Sequence, residues 1–409
     1  MYKELNVPQR TIMTPGPVES EPRVLRAMSM PIIGQFDPSF LAIMDEVKEM
    51  LKYVFQTNNA QNYAVDGTSR SGMEALMNSL IEAGDKVLVP TYGRFGNMLI
   101  EIADRSGAQV HSISKEWGKV FSPDEVIEAI NRTNPKIVAV VHGETSTGCM
   151  QPLAEIGKYC RENNVLFIVD AVATLGGAEF KMDEWCVDAV CTGTQKCLSV
   201  PTGMAPISYN EKVEKMITER KQVELGLGRD QDNPRRVQSN YLDLSQIQEY
   251  WGSGRLNHHT EATTMLYGLR EGLRLIIEEG METRLNRHRL HEKAVVEGVK
   301  AMGLTIFGDP TCKMPTVTCI NVPEGLDGEA VRSMLLKEFS VEVAGAFGAL
   351  KGKIWRVGTM GYSARKKNVY TLLSALEACI IANGGTVNRG EALQAALAVY
   401  QSNSEVYWY

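Results

Sequence analysis

The 409-residue chain has no run of about 18 consecutive apolar residues, the length read as a membrane-spanning helix. It has no basic excess either. Lys and Arg number 43 against 49 Asp and Glu, a net charge of −6, which gives no electrostatic footprint for nucleic acid. Cysteine is sparse and unpaired in pattern: Cys149, Cys160, Cys186, Cys191, Cys197, Cys312, Cys319 and Cys379 form no C-x-x-C, and most lie in apolar runs. They read as buried thiols in a reducing compartment rather than a disulfide framework. Histidine is scarcer still, at six. His258 and His259 are adjacent and so point apart, no H-E-x-x-H occurs, and no metal site is expected. The opening residues, MYKELNVPQRTIMTPGP, lack the apolar core of a signal peptide. The expectation from these absences is a cytoplasmic protein that engages neither nucleic acid nor membrane.

What is present is ordinary globular composition, 44% hydrophobic and 22% charged, enough to bury a large core. The length allows two or three domains. Asp37 and Pro38 open a helical pattern over 37–56. Short apolar runs follow at Tyr63–Val65, Lys86–Pro90, Lys136–His142, Val165–Asp170, Asp188–Thr192 and Met204–Tyr209. Helical patterns over 69–83, 94–106, 123–133 and 153–163 separate them. Strands apolar on both faces, alternating with helices, predict an α/β domain with a mostly parallel sheet. Residues 224–234 read as an exposed loop, and 261–302 as connecting helices. From 303 the order is strand, strand, helix, strand, strand, helix, a small α+β layer. The division expected is an N-terminal arm over 1–20, a large domain over 21–260, connecting helices over 261–302, a small domain over 303–385 and a tail over 386–409.

Three features carry chemistry. Gly67–Gly72 has P-loop spacing, but Met73 and Glu74 follow where Lys and Ser/Thr would bind a nucleotide. A strand, a loop of small and hydroxyl residues and a helix start still suit one phosphate group; a simply capped helix start is the other reading. Asp170 closes the apolar run VLFIVD, at the strand end where α/β folds place ligands, though it could equally cap the next helix. Lys196, in DAVCTGTQKC, follows an apolar strand; most lysines are surface residues, but one held in an apolar pocket has a lowered pKa and can form a Schiff base. In this order the three suit pyridoxal 5′-phosphate: the loop for its phosphate, Asp170 for its ring nitrogen and Lys196 for its aldehyde.

The chain resembles the class V aminotransferases of fold-type I, in the alanine–glyoxylate and serine–pyruvate group. The resemblance rests on TPGP (14–17), the G-x-x-x-x-GMEA loop, HGETSTG (142–148), QPL (151–153), VDAVATLGG (169–177), GTQKCL (193–198), HHT (258–260) and RVGTMG (356–361). It implies a pyridoxal-phosphate-dependent homodimer with shared active sites. By the same resemblance Thr68, Ser69 and Arg70 form the phosphate loop. Phe95 stacks on the cofactor ring, Thr145 lies near its phenolic oxygen, Val172 packs under the ring and Gln195 lies near the phosphate. Asp170 pairs with the ring nitrogen, and Lys196 is the Schiff-base lysine and proton carrier. Thr260 reaches the phosphate from the neighbouring subunit, and Arg356 clamps the substrate carboxylate. Two positions depart from the common pattern: Gln35 stands where many relatives have His, and Asn257 where many have Tyr. These paired amides resemble the (S)-ureidoglycine–glyoxylate branch of purine catabolism, which implies oxalurate and glycine as products. The alternative is an alanine–glyoxylate or serine–glyoxylate/pyruvate enzyme.

Overall fold

Apolar residues facing both ways put Ile137–Val141 and Leu166–Asp170 at the centre of a sheet, and every residue of both is buried. A computed structural model describes residues 2–223 and 232–403. Its seven-stranded sheet runs in the order Gln61–Asp66, Met204–Tyr209, Ala189–Cys191, Leu166–Asp170, Ile137–Val141, Lys86–Thr91, Gln109–Ser114. Met204–Tyr209 lies antiparallel to both its neighbours, and the other pairings are parallel. The mostly parallel sheet expected from the sequence is therefore present.

One strand carried no apolar run. Gln109–Ser114 has a half-exposed pattern and pairs only with Lys86–Thr91. An edge strand buries less, so its sequence is polar and its signal weak.

The helices form where the pattern and caps place them. In Pro38–Phe55 the Asp37 carboxylate accepts from Ser39 N, and Phe40, Met44, Val47, Leu51 and Val54 face inward at 1% exposure or less. Each such burial is worth about 1.5–3 kcal/mol. Helix Pro123–Thr133 starts with a reciprocal capping box between Ser122 and Glu125. The region expected as connecting helices is two, Thr263–Glu279 and Met281–Ala301, broken at Gly280 with φ +79°. That conformation ends a helix at little strain only in glycine.

A second core gathers Met13, Val295, Val299, Ile320, Val331, Leu335, Trp355, Leu372 and Leu376. Here the strands are sparser than expected. Val317–Asn321 pairs antiparallel with Ile354–Gly358, but the run at 304–308 contributes only the bridge Ile306 to Ile320. Val341–Glu342 pairs instead, in parallel, with Thr11–Ile12 of the N-terminal arm. The arm thus threads onto the second core through Met13 before reaching the sheet's strand ends. Helix Glu391–Ser402 lays Ala392, Ala396, Val399 and Tyr400 on that same core, and Tyr400 Oη lies 2.8 Å from His291 Nδ1. The loop expected over 224–234 and the end of the 386–409 tail lie partly outside the described residues. All eight cysteines are buried and free. No helix among the described residues is long and apolar enough to cross a membrane.

Candidate active site

The C-terminal ends of the parallel strands open into a cavity of about 260 Å³. Strand Leu166–Asp170 delivers Asp170 to its floor, 4% exposed, with Oδ1 accepting from Val172 N at 2.9 Å. Burial, more than any neighbour, raises the Asp170 pKa to about 6. After Ala189–Cys191 the chain turns and delivers Lys196, also buried. Its amine donates to the Pro15 carbonyl, and burial lowers its pKa to about 8. The same TPGP turn explains Gly16: at φ +102° a Cβ there would strike the Lys196 side chain. The N-terminal arm therefore forms one wall of the lysine's channel.

The Gly67–Gly72 loop opens helix Ser69–Leu80. Gly67 sits at φ +127°, where a Cβ would meet Ser71 Oγ at 2.6 Å. Thr68 stands at the cap position yet makes no side-chain cap bond. Ser71 N donates to the Thr68 carbonyl at 2.8 Å, which leaves the amides of Ser69 and Arg70 for an external acceptor and favours the anion reading of the loop over the simple cap. Gln195 Nε2 donates to Ser69 Oγ at 3.2 Å, while its buried Oε1 has no partner among the described residues.

A residue overlooked in the sequence, although it sits in HGETSTG, ties the opposite wall together. The Glu144 side chain is fully buried and accepts from Phe95 N at 2.7 Å, Gly96 N at 3.4 Å, Ser146 N at 3.0 Å and Ser146 Oγ at 2.6 Å. It caps the helix Arg94–Arg105 that presents Phe95, and it immediately precedes Thr145. The Thr145 carbonyl accepts from Arg356 Nη1 at 3.0 Å, and Arg356 Nε donates to the Gly345 carbonyl at 2.7 Å. Among the described residues that leaves Nη2 of the guanidinium without a hydrogen-bond partner, which suits an end-on carboxylate. Gly93 is required for this packing, because a Cβ would overlap Glu144 Cγ and Cδ and approach Ser146 Oγ to 2.6 Å. Gly93→Ala is expected to destabilise the chain by about 1–3 kcal/mol, the scale of overpacking a core. Urea unfolding of variant and wild type measures it, and an unchanged midpoint would remove the clamp.

Against known proteins, the Aminotransferase class-V family model matches residues 32–349. The (S)-ureidoglycine–glyoxylate transaminase of Bacillus subtilis is 59% identical, over 98% of this chain and 97% of that one. The chain belongs to the class V aminotransferases. The Drosophila melanogaster alanine–glyoxylate aminotransferase is 38% identical over 93% of this chain and 94% of its own length. Among solved structures, the B. subtilis ureidoglycine–glyoxylate aminotransferase superposes with a TM-score of 0.93 at 58% identity, covering 98% of this chain and all of that one. The alanine–glyoxylate aminotransferase of Nostoc sp. gives 0.88 at 40% identity, over 93% and 97%. The fold is thus that of the fold-type I aminotransferases.

The residues fit the pyridoxal phosphate expected of a class V aminotransferase. A buried lysine with a depressed pKa, a buried aspartate with one oxygen unspent on Val172, and uncapped helix amides suit an aldehyde, a protonated ring nitrogen and a phosphate. Nine of the ten residues expected around the cofactor line the cavity: Thr68, Ser69, Arg70, Phe95, Thr145, Asp170, Val172, Gln195 and Lys196. Sequence reasoning also passed over Met73, Met98 and Thr202 in its walls, since side chains of that kind carry no motif.

The remaining expected residues lie apart. Arg356 reaches the cavity wall through Thr145. Thr260 is exposed and does not line this chain's cavity. Gln35 and Asn257, 222 positions apart, meet: Gln35 Nε2 donates to Asn257 Oδ1 at 3.1 Å, and Gln35 Oε1 accepts from Glu261 N at 2.9 Å. Neither lines the chain's own cavity.

Proposed function

We propose that this aminotransferase moves the amino group of (S)-ureidoglycine to glyoxylate, giving oxalurate and glycine. The near full-length likeness to the B. subtilis transaminase, against 38% for an alanine–glyoxylate relative, carries the reading. The paired amides support it from this chain's own residues. Pyridoxal phosphate, when bound, supplies an aldehyde for the amine and a ring that accepts the electrons left at Cα. Lys196 would hold it, Asp170 would keep its ring nitrogen charged, Phe95 and Val172 would pack against its ring, and Thr68, Ser69, Arg70 and Gln195 would take the phosphate. Lys196 Nζ takes the proton from the donor's Cα and surrenders one in the acceptor half-reaction. Arg356 fixes the carboxylate shared by donor and acceptor, so both present Cα to the same amine. The large domain over 21–260 carries these groups, and the small domain over 303–385 brings Arg356.

A homodimer is part of this proposal. Because Gln35, Asn257 and Thr260 do not line their own chain's cavity, a second copy's cavity is where they act. Co-refolding a Lys196→Ala chain with a Gln35→His/Asn257→Tyr chain is then expected to restore ureidoglycine turnover, since one mixed site regains all its groups. No recovery, or a monomer at full activity, would show that the sites are not shared.

The donor preference follows from the amides. A ureido group offers a carbonyl and several N–H groups, and a primary amide can pair with both. With alanine the capacity these amides keep beyond their mutual bond, such as the Asn257 NH₂, goes unmatched, at roughly 1–3 kcal/mol, or about 5- to 150-fold. The test is kcat/KM for freshly generated ureidoglycine, alanine and serine with glyoxylate. The wild type is expected to prefer ureidoglycine, and Gln35→His/Asn257→Tyr to shift the ratio toward alanine by at least about tenfold. A wild type that prefers alanine overturns the donor; an unmoved ratio overturns the role of the amides.

A further inference from the structure

Asp66 ends strand Gln61–Asp66 just before the phosphate loop, and His259 and Glu261 lie in the segment leading into helix Thr263–Glu279. One ligand-type atom of each lies within 4.8 Å of the others. His259 Nε2 is 3.2 Å from Asp66 Oδ2 and 3.8 Å from Glu261 Oε2. Glu261 is 4% exposed, and neither of its carboxylate oxygens has a hydrogen-bond partner among the described residues. Asp66 Oδ1 and His259 Nε2 are buried without one as well. Two carboxylates out of water and facing each other are neutralised either by a proton they share or by a compensating positive charge.

The histidines indicate where that charge sits. Nδ1 of His258 and Nδ1 of His259 are 2.8 Å apart, so one carries the hydrogen and the other accepts it. With the shared hydrogen on His259 Nδ1, its Nε2 presents a lone pair on the side of the two carboxylates, 3.2 Å from Asp66 Oδ2 and 3.8 Å from Glu261 Oε2.

We propose that Asp66, His259 and Glu261 bind a divalent cation, Zn²⁺ or Mn²⁺. One imidazole and two carboxylates suit these ions better than Mg²⁺ or Ca²⁺, which take oxygen alone. The outer contacts are those of a metal site. His259 is oriented through its second nitrogen, Asp66 Oδ2 accepts from Ala262 N at 3.0 Å, and the Tyr250 hydroxyl faces Glu261. The Tyr250 and Tyr241 rings pack against His259 at 5.1 and 5.6 Å. The ion ties the strand that ends in the phosphate loop to the segment bearing Asn257 and Thr260. The sequence reading, which looked for spaced His and Cys motifs, expected no metal.

The test is direct metal uptake by the intact holoenzyme, stripped with chelator and titrated with ZnCl₂ and MnCl₂, with bound ion counted by mass spectrometry. The expected result is saturation at about one ion per chain. Glu261→Gln and Asp66→Asn are expected to weaken it by at least about tenfold. No saturable uptake by the wild type overturns the proposal, leaving a proton shared by the two carboxylates or a cationic side chain of a second copy to neutralise them. Uptake unchanged in both variants overturns it too, by placing the ion elsewhere. If the variants fail to fold, Co²⁺ spectra of the wild type decide. Nitrogen and oxygen ligation supports the site, whereas thiolate bands or no bands overturn it. Turnover is not the readout, so the outcome is independent of the amino donor.

Discussion

Lys196→Ala is expected to lower transamination by at least roughly 10²–10⁴-fold, the scale of losing a positioned general base. The amine is the one titratable donor that strand Ala189–Cys191 and the TPGP turn both hold in the cavity. Its pKa of about 8, set first by burial, keeps a useful fraction neutral and able to accept a proton near pH 8. Borohydride treatment followed by digestion should give a cofactor-labelled peptide spanning position 196 from the wild type and none from the variant. Normal turnover in the variant would remove Lys196 from the reaction.

Asp170→Asn is expected to retain the cofactor phosphate contacts but to slow turnover by roughly 10²-fold or more, since an amide cannot hold positive charge on the nitrogen it faces. The same residue predicts a pH effect on the cofactor-free chain. Its pKa rises from the ordinary 3.8 to about 6 through burial, so between those values the folded chain keeps a proton that the unfolded chain has lost. Stability therefore falls as pH rises from about 4 to about 6, by roughly 2–3 kcal/mol from this group at 1.36 kcal/mol per pKa unit. Burial moves Glu144 in the same direction, so the comparison must be variant against wild type. Cofactor-free Asp170→Asn should be the more stable of the two at pH 7 and lose its advantage near pH 4. Denaturant unfolding at the two pH values measures this, and parallel curves would refute the burial argument. The site thus stores unfavourable electrostatics that a cationic partner relieves.

Much of this was legible in the linear sequence. Strands buried on both faces, such as Ile137–Val141 and Leu166–Asp170, announce themselves as apolar runs, because a strand covered by helices has no solvent face. Asp170 and Lys196 were readable because each follows such a run, and the strand ends of a parallel sheet share one edge. The phosphate loop was readable as small and hydroxyl residues between strand and helix, although only the geometry showed that Thr68 leaves the helix uncapped.

Other features depend on contacts between residues far apart in the chain. Thr11–Ile12 pairs with Val341–Glu342, and a two-residue strand has no periodicity to detect. Glu144 became recognisable only when the first turn of helix Arg94–Arg105 arrived over it, since a lone glutamate in sequence does not say which amides it will meet. Gln35 and Asn257 were each singled out as departures from the family pattern, but their hydrogen bond exists only because helix Pro38–Phe55 and helix Thr263–Glu279 pack together and bring their preceding segments side by side. The convergence of Asp66, His259 and Glu261 has the same origin. The strand end and the segment entering Thr263–Glu279 are nearly 200 residues apart, joined by the Ala262 N to Asp66 bond. Local pattern determines which faces of the chain are buried and where strands end. Which buried polar groups then face one another is decided by tertiary packing, because the energies that set their charge depend on distances of a few ångströms between elements that sequence order does not relate.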